Sequence, residues 1–101
     1  MTDKPVIPWA RAVRDVEGIV DHYLEEVSEP AAIGFIDALE QAYADIGKFP
    51  ASGSSRYAFE LDLPGLRFWP LVRYPYLVFY VERDDHVDLW RVLHGNRDIP
   101  R

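Results

Sequence analysis

The apolar positions of this chain change their spacing at two places. Between Ala10 and Val27, the residues Val13, Val16, Ile19, Val20, Tyr23, Leu24 and Val27 recur at helical spacing. Arg14, Asp15, Glu17, Asp21, Glu25 and Glu26 mostly hold the other side. Ser28-Glu29-Pro30 reads as a break and a fresh start, because proline is tolerated in the first turn of a helix. A second stripe follows at Phe35, Ile36, Leu39, Ala42, Tyr43 and Ile46, with Gly47 and Pro50 as its stop. Two helices joined by so few residues lie roughly antiparallel, so residues 10–48 are predicted to form a helical hairpin. Neither stripe is satisfied by the other alone, and each needs a sheet to cover.

Strand-like runs supply that sheet. Lys4–Trp9 has room for only a very short strand, and Pro5 and Pro8 confine it to an edge or an end because they donate no amide hydrogen. Residues 51–65 are rich in turn formers and read as a surface loop. Leu66–Val72 contains Pro70, which demotes it towards an edge or a bulge. Tyr76–Val81 is continuously apolar, as in a strand covered on both faces. Glu82-Arg83-Asp84-Asp85 makes a polar turn before a last strand over His86–His94. The expected architecture is α+β: an N-terminal helical hairpin packed on a small antiparallel β-sheet, one domain over residues 1–101.

Composition narrows the chemistry. The chain has 101 residues and no cysteine, which excludes a disulfide scaffold, cysteine-ligated zinc and a thiol nucleophile. Its apolar runs are far shorter than a membrane span, and its start lacks a charged-then-apolar leader, so a cytoplasmic protein with no membrane partner is expected. Net charge is −6, all of it in residues 1–50, where ten acids face four bases; residues 51–101 hold seven of each. Every base of the second half is an arginine. An acidic chain is a poor general binder of polyphosphate, so direct nucleic-acid binding is disfavoured, while a local arginine surface still suits carboxylates or phosphates. His22, His86 and His94 are scattered, none of the four serines lies in a nucleophile motif, and the six glycines form no phosphate loop. No metal or cofactor is expected.

The richest stretch is Leu89-Trp90-Arg91-Val92-Leu93-His94-Gly95-Asn96-Arg97-Asp98. Strand alternation places Arg91 on one face with Leu89 and Leu93, and Trp90, Val92 and His94 on the other. An arginine there needs a carboxylate partner or a solvent-facing site. Arg67 and Arg73 are positioned to join Arg91 and Arg97 in one positive surface, with His94 as the only candidate acid or base on the arginine-rich tail. Trp9, Trp69 and Trp90 are candidate binding anchors or core residues.

The tail Arg91-Val92-Leu93-His94-Gly95-Asn96-Arg97-Asp98 resembles the terminal signature of ParE-type toxins in the RelE/ParE superfamily. The likeness extends to Arg14-Asp15-Val16, Ile19 and Tyr23 in the first helix. It continues through Ala32, Phe35, Leu39 and Ile46 with Pro50 and Gly53, and through Leu66-Arg67 and Tyr76–Tyr80 in the strands. The resemblance implies the toxin half of a type II toxin–antitoxin pair. Such a toxin is held in a hetero-oligomer by a cognate ParD-like, DNA-binding antitoxin that wraps part of its chain along it. ParE-like members poison DNA gyrase, whereas RelE-like members are ribosome-dependent mRNA endoribonucleases. Only Lys4 and Lys48 are lysines, no tyrosine follows Tyr80, and the chain is acidic; these features favour a gyrase inhibitor without an active site over a ribonuclease. The alternatives are the ribonuclease and an attenuated antitoxin-binding module. Arg67, Trp69, Arg73, Trp90, Arg91, His94 and Arg97 are the expected target- or antitoxin-binding residues.

Overall fold

The first helix, α1 (Ala10–Glu26), and the second, α2 (Glu29–Lys48), form where the apolar spacing predicts them. The join is sharp because Ser28 caps α2, its hydroxyl accepting the Ala31 amide at 3.1 Å, with Pro30 in the first turn. In a computed structural model describing residues 3–98, the hairpin covers one face of a four-stranded sheet. The strands are β1 (Val6–Pro8), β2 (Leu66–Pro70), β3 (Tyr76–Glu82) and β4 (Val87–His94), in the order β1-β4-β3-β2.

β2, β3 and β4 make the expected antiparallel meander, and β2 ends at Pro70 on the sheet edge. β1 departs from the antiparallel expectation. It lies parallel to β4, with Val6 opposite Val87 and Pro8 opposite Leu89, so the sheet is mixed. Short and proline-bearing, β1 occupies an edge as its sequence requires. It is tied to the helices where Lys4 N–H donates to the Gly47 carbonyl at 3.0 Å. A Cβ at Gly47 would lie 2.8 Å from the Lys4 oxygen, so the glycine serves this close approach, and α2 runs through it to Lys48.

Both faces of β3 are buried, as its unbroken apolar run implies. Tyr76, Val78 and Tyr80 enter the main core beneath the hairpin with Phe35, Leu39, Ile46, Val87, Leu89 and Val92. Phe79 and Val81 join Leu66 in a smaller core on the opposite face. Residues 51–65, read from sequence as loop, contain a short helix, α3 (Arg56–Glu60), that covers part of that second face; a 3₁₀ turn at Pro50–Ser52 precedes it. Tyr57 and Ala58 of α3, with Leu61, pack on this smaller core, and their burial is what orders the segment.

Strict alternation fails in β4. Phe79 pairs with Arg91 but Tyr80 pairs with Leu89, leaving Trp90 as the extra residue of a bulge. Leu89 and Val92 therefore share the hairpin face, and Trp90 and Leu93 belong to the second core, which corrects the assignment of faces made from alternation.

The turn between β3 and β4 carries a charged cluster. His86 sits between two carboxylates, Nδ1 2.6 Å from Asp85 and Nε2 3.1 Å from Asp88, and Asp88 also accepts from Arg83 Nε at 2.9 Å. The hydrogen bond to Asp85 raises the His86 pKa and lowers that of Asp85; the bond from Arg83 holds Asp88 low. A raised histidine pKa stabilises the fold fully below the unfolded value of about 6.5 and ceases to do so as pH rises through the folded value. The depressed aspartates contribute above their unfolded value and lose that contribution as pH falls through their folded ones. Urea midpoints are therefore expected to decline modestly from pH 6 to pH 8 in the parent chain. His86→Gln should flatten that decline, and an identical slope in the variant would show that the clamp contributes nothing.

Candidate functional site

β1 pairs with only the first part of β4, and beyond Leu89 the outer edge of β4 has no neighbouring strand among the described residues. Two carboxylates take the place of one. Asp15, from α1, accepts the Val92 amide at 3.0 Å, and Asp98, from the tail, accepts the His94 amide at 2.9 Å. An edge amide without a partner would be costly and would invite another strand, so these carboxylates blunt the edge.

Asp15 also receives Arg91 in a two-pronged pair, Nε to Oδ2 at 2.8 Å and Nη2 to Oδ1 at 3.0 Å. The hydrogen bonds from Arg91 to Asp15 raise the arginine's pKa further. Arg91 thus has the carboxylate partner that its place in a strand demands. Tyr43 stays neutral nearby: burial pushes its phenol up to about 12, with the Asp15 charge adding to the effect.

Between α1 and this edge lies an open groove of about 670 Å³. Arg14, Asp15, Gly18 and His22 of α1 form one side; Arg91, Leu93, Arg97 and Asp98 form the other. Arg91 and Arg97 therefore do come together, and Arg14 joins them. Arg67 and Arg73 do not line this groove. Arg67 lies on β2, where its Nη1 donates to the Gly53 carbonyl at 2.8 Å. Arg73 is exposed in the β2–β3 turn with a positive φ of 69°.

His94 packs edge-on against Tyr76, with ring centroids 5.4 Å apart, and its Nδ1 accepts the Asn96 amide at 3.1 Å. That bond uses Nδ1 as acceptor and ties the ring to the tail's turn through one of its two nitrogens. Trp69 packs half-buried against the main core. Trp90, the bulge residue, stacks on the half-exposed Trp9 with centroids 5.1 Å apart, and its buried Nε1 has no hydrogen-bond partner among the described residues. Trp69 thus packs on the main core and Trp90 on the second, and Trp9 carries the stack from Trp90 out to the surface. Sequence reasoning missed Gly18, His22 and Asp15 as parts of this site. The available signal was a glycine interrupting an otherwise strong helical pattern.

Among the described residues no group of three or more histidine and carboxylate side chains is placed to hold a metal ion, and no helix is long and apolar enough to cross a membrane.

A helical hairpin on a mixed sheet is also the architecture of a solved chain from the chromosomal ParDE TA system of P. aeruginosa. The two superpose with a TM-score of 0.75 over 90% of this chain and 95% of that one, at 18% identity, a likeness of fold. Residues 6–99 match the family model of the ParE toxin of type II toxin–antitoxin systems, parDE, and the chain belongs to that family. No curated protein matches the sequence.

Proposed function

We propose that this ParE toxin arrests growth by binding DNA gyrase, and that a ParD-like, DNA-binding antitoxin neutralises it by laying an extended segment over its surface in a hetero-oligomer. The observation that carries this reading is the state of the C-terminal signature. Arg91 is committed to Asp15 through two hydrogen bonds, and His94 Nδ1 is committed to the Asn96 amide. RNA cleavage requires both a base and an acid at the scissile phosphate with cations around it, and His94 has only Nε2 left to offer for the two roles. Of the four sequence-predicted arginines only Arg91 and Arg97 share the groove; Arg73 lies elsewhere, and Arg67 is held by a backbone carbonyl. An inhibitor that works by binding needs only surface, and this chain exposes apolar side chains freely. Val13, Leu24, Val27, Ile33 and Ile36 are left uncovered on the hairpin, with Ile7 on β1 and Trp9 at the start of α1. A partner's extended segment fits such a surface.

The test is induction of the chain in bacteria without its antitoxin, with pulse labelling, alongside supercoiling by purified gyrase. DNA synthesis is expected to fall first, and supercoiling to be inhibited until the antitoxin is added. Protein synthesis falling first, with gyrase untouched, would replace this reading with ribosome-dependent mRNA cleavage. Soluble protein with neither effect would leave an attenuated antitoxin-binding module.

A further inference from the structure

The groove between α1 and β4 contains a glycine that the folded chain does not require. Gly18 lies inside α1, where glycine weakens a helix relative to alanine. At the other two helical glycines the structure supplies a reason: a Cβ would strike Tyr74 at Gly34 and the Lys4 backbone at Gly47. At Gly18 a Cβ meets nothing within 4 Å. A bare helix backbone facing open space suits the close approach of another backbone.

Charge points the same way. Of the three arginines lining the groove, Arg91 is paired with Asp15, while Arg14 and Arg97 form no salt bridge among the described residues. Against Asp15 and Asp98, the three arginines leave the groove net positive on a chain whose charge is −6. The floor is apolar where Ile19, Val92 and Leu93 reach it.

We propose that this groove receives an extended acidic segment of the antitoxin, its carboxylates pairing with Arg14 and Arg97 and its backbone lying over Gly18. The inference rests on the antitoxin reading above. A peptide with one or two carboxylates responds to the local positive field, whereas a nucleic acid carries many phosphates against the −6 charge of the whole chain. A concave slot beside a strand edge takes a single chain segment more readily than the flat or convex face of a folded target.

The experiment measures antitoxin affinity for the full chain and for two variants, at low and physiological salt. Gly18→Ala is expected to raise the thermal midpoint of the free toxin while weakening the complex tenfold or more, a combination that a merely structural glycine does not give. Arg14→Gln/Arg97→Gln should weaken binding at least tenfold and flatten its salt dependence, with Arg56→Gln as an unaffected control. Parent-like affinity in both variants overturns the proposal. So does an RNA oligonucleotide whose salt-sensitive binding these variants abolish while antitoxin binding persists. If the antitoxin fails to bind even the parent chain, the neutralisation reading itself falls, and that outcome is separable from a defect confined to the groove variants.

Discussion

Gly53→Ala is expected to destabilise the fold by about 3 kcal/mol or more, although its backbone is ordinary. Gly53 has φ −66° and ψ 155°, a conformation any residue adopts, so the cost comes from packing alone. An added Cβ would overlap the Tyr80 hydroxyl and lie 2.8 Å from Tyr80 Cζ and 3.0 Å from the Phe68 carbonyl oxygen. Tyr80 cannot swing away. Its side chain is fully buried in the main core, and its hydroxyl donates to the Pro50 carbonyl at 2.7 Å. Overpacking a tight site costs about 1–3 kcal/mol, and losing the buried hydrogen bond adds about 1–2 more. The same displacement would move the carbonyl that holds Arg67. Tyr80→Phe alone should cost about 1–2 kcal/mol for the bond to Pro50. The double variant should be less unstable than the sum of the two, because one overlapping atom is gone. Urea unfolding of the three proteins checks this. A single-variant cost under about 1 kcal/mol would mean that the Pro50–Ser54 loop yields freely and that Tyr80 is no anchor.

Much of the fold was legible because it depends on local rules. The spacing of Val16, Ile19, Tyr23 and of Phe35, Leu39, Ile46 defines two helix faces, and Ser28 with Pro30 marks their join whatever surrounds them. Pro8 and Pro70 assign their strands to edges for a reason internal to proline. The parts that were not legible depend on distant partners. Nothing in Val6–Pro8 announces that it lies parallel to Val87–Leu89, because so short a run carries too little pattern to fix a direction and no tight turn joins it to its partner. A five-residue helix such as α3 is too short to display a period, and it is ordered by Tyr57 and Ala58 meeting the sheet. The bulge at Trp90 defeats alternation within a single strand.

The candidate site shows the same division. Arg91's demand for a carboxylate could be read from its place in a strand, but the identity of the carboxylate could not. On the α1 wheel, Asp15 looks like Glu17 or Asp21, an acid on the polar side. Only the crossing of α1 over the unpaired part of β4 selects it. Arg14, one residue earlier, enters the groove by the same crossing.

Asp15→Ala is therefore the substitution that tests the site most directly, with an expected cost of about 2–3 kcal/mol. One carboxylate satisfies three donors: Arg91 Nε at 2.8 Å, Arg91 Nη2 at 3.0 Å and the Val92 amide at 3.0 Å. Its removal leaves a guanidinium and an edge amide unpartnered. Breaking a buried pair costs about 3–5 kcal/mol, and partial exposure of these side chains, 16% for Asp15 and 33% for Arg91, reduces that through solvent screening. Asp15→Asn retains an acceptor and should lose about half as much. Asp15→Ala/Arg91→Met should be more stable than Asp15→Ala alone, because it removes the stranded charge along with its partner. Equal stability of the single and double variants would show that Arg91 finds water or Asp98 at no cost. The loss also bears on function, since Asp15→Ala frees Arg91 as a third unpaired cation in the groove. Below its unfolding midpoint, this less stable protein should bind an acidic antitoxin segment at least as tightly as the parent does. Weaker binding by the folded variant would assign the Asp15–Arg91 pair to shaping the groove, with attraction left to Arg14 and Arg97.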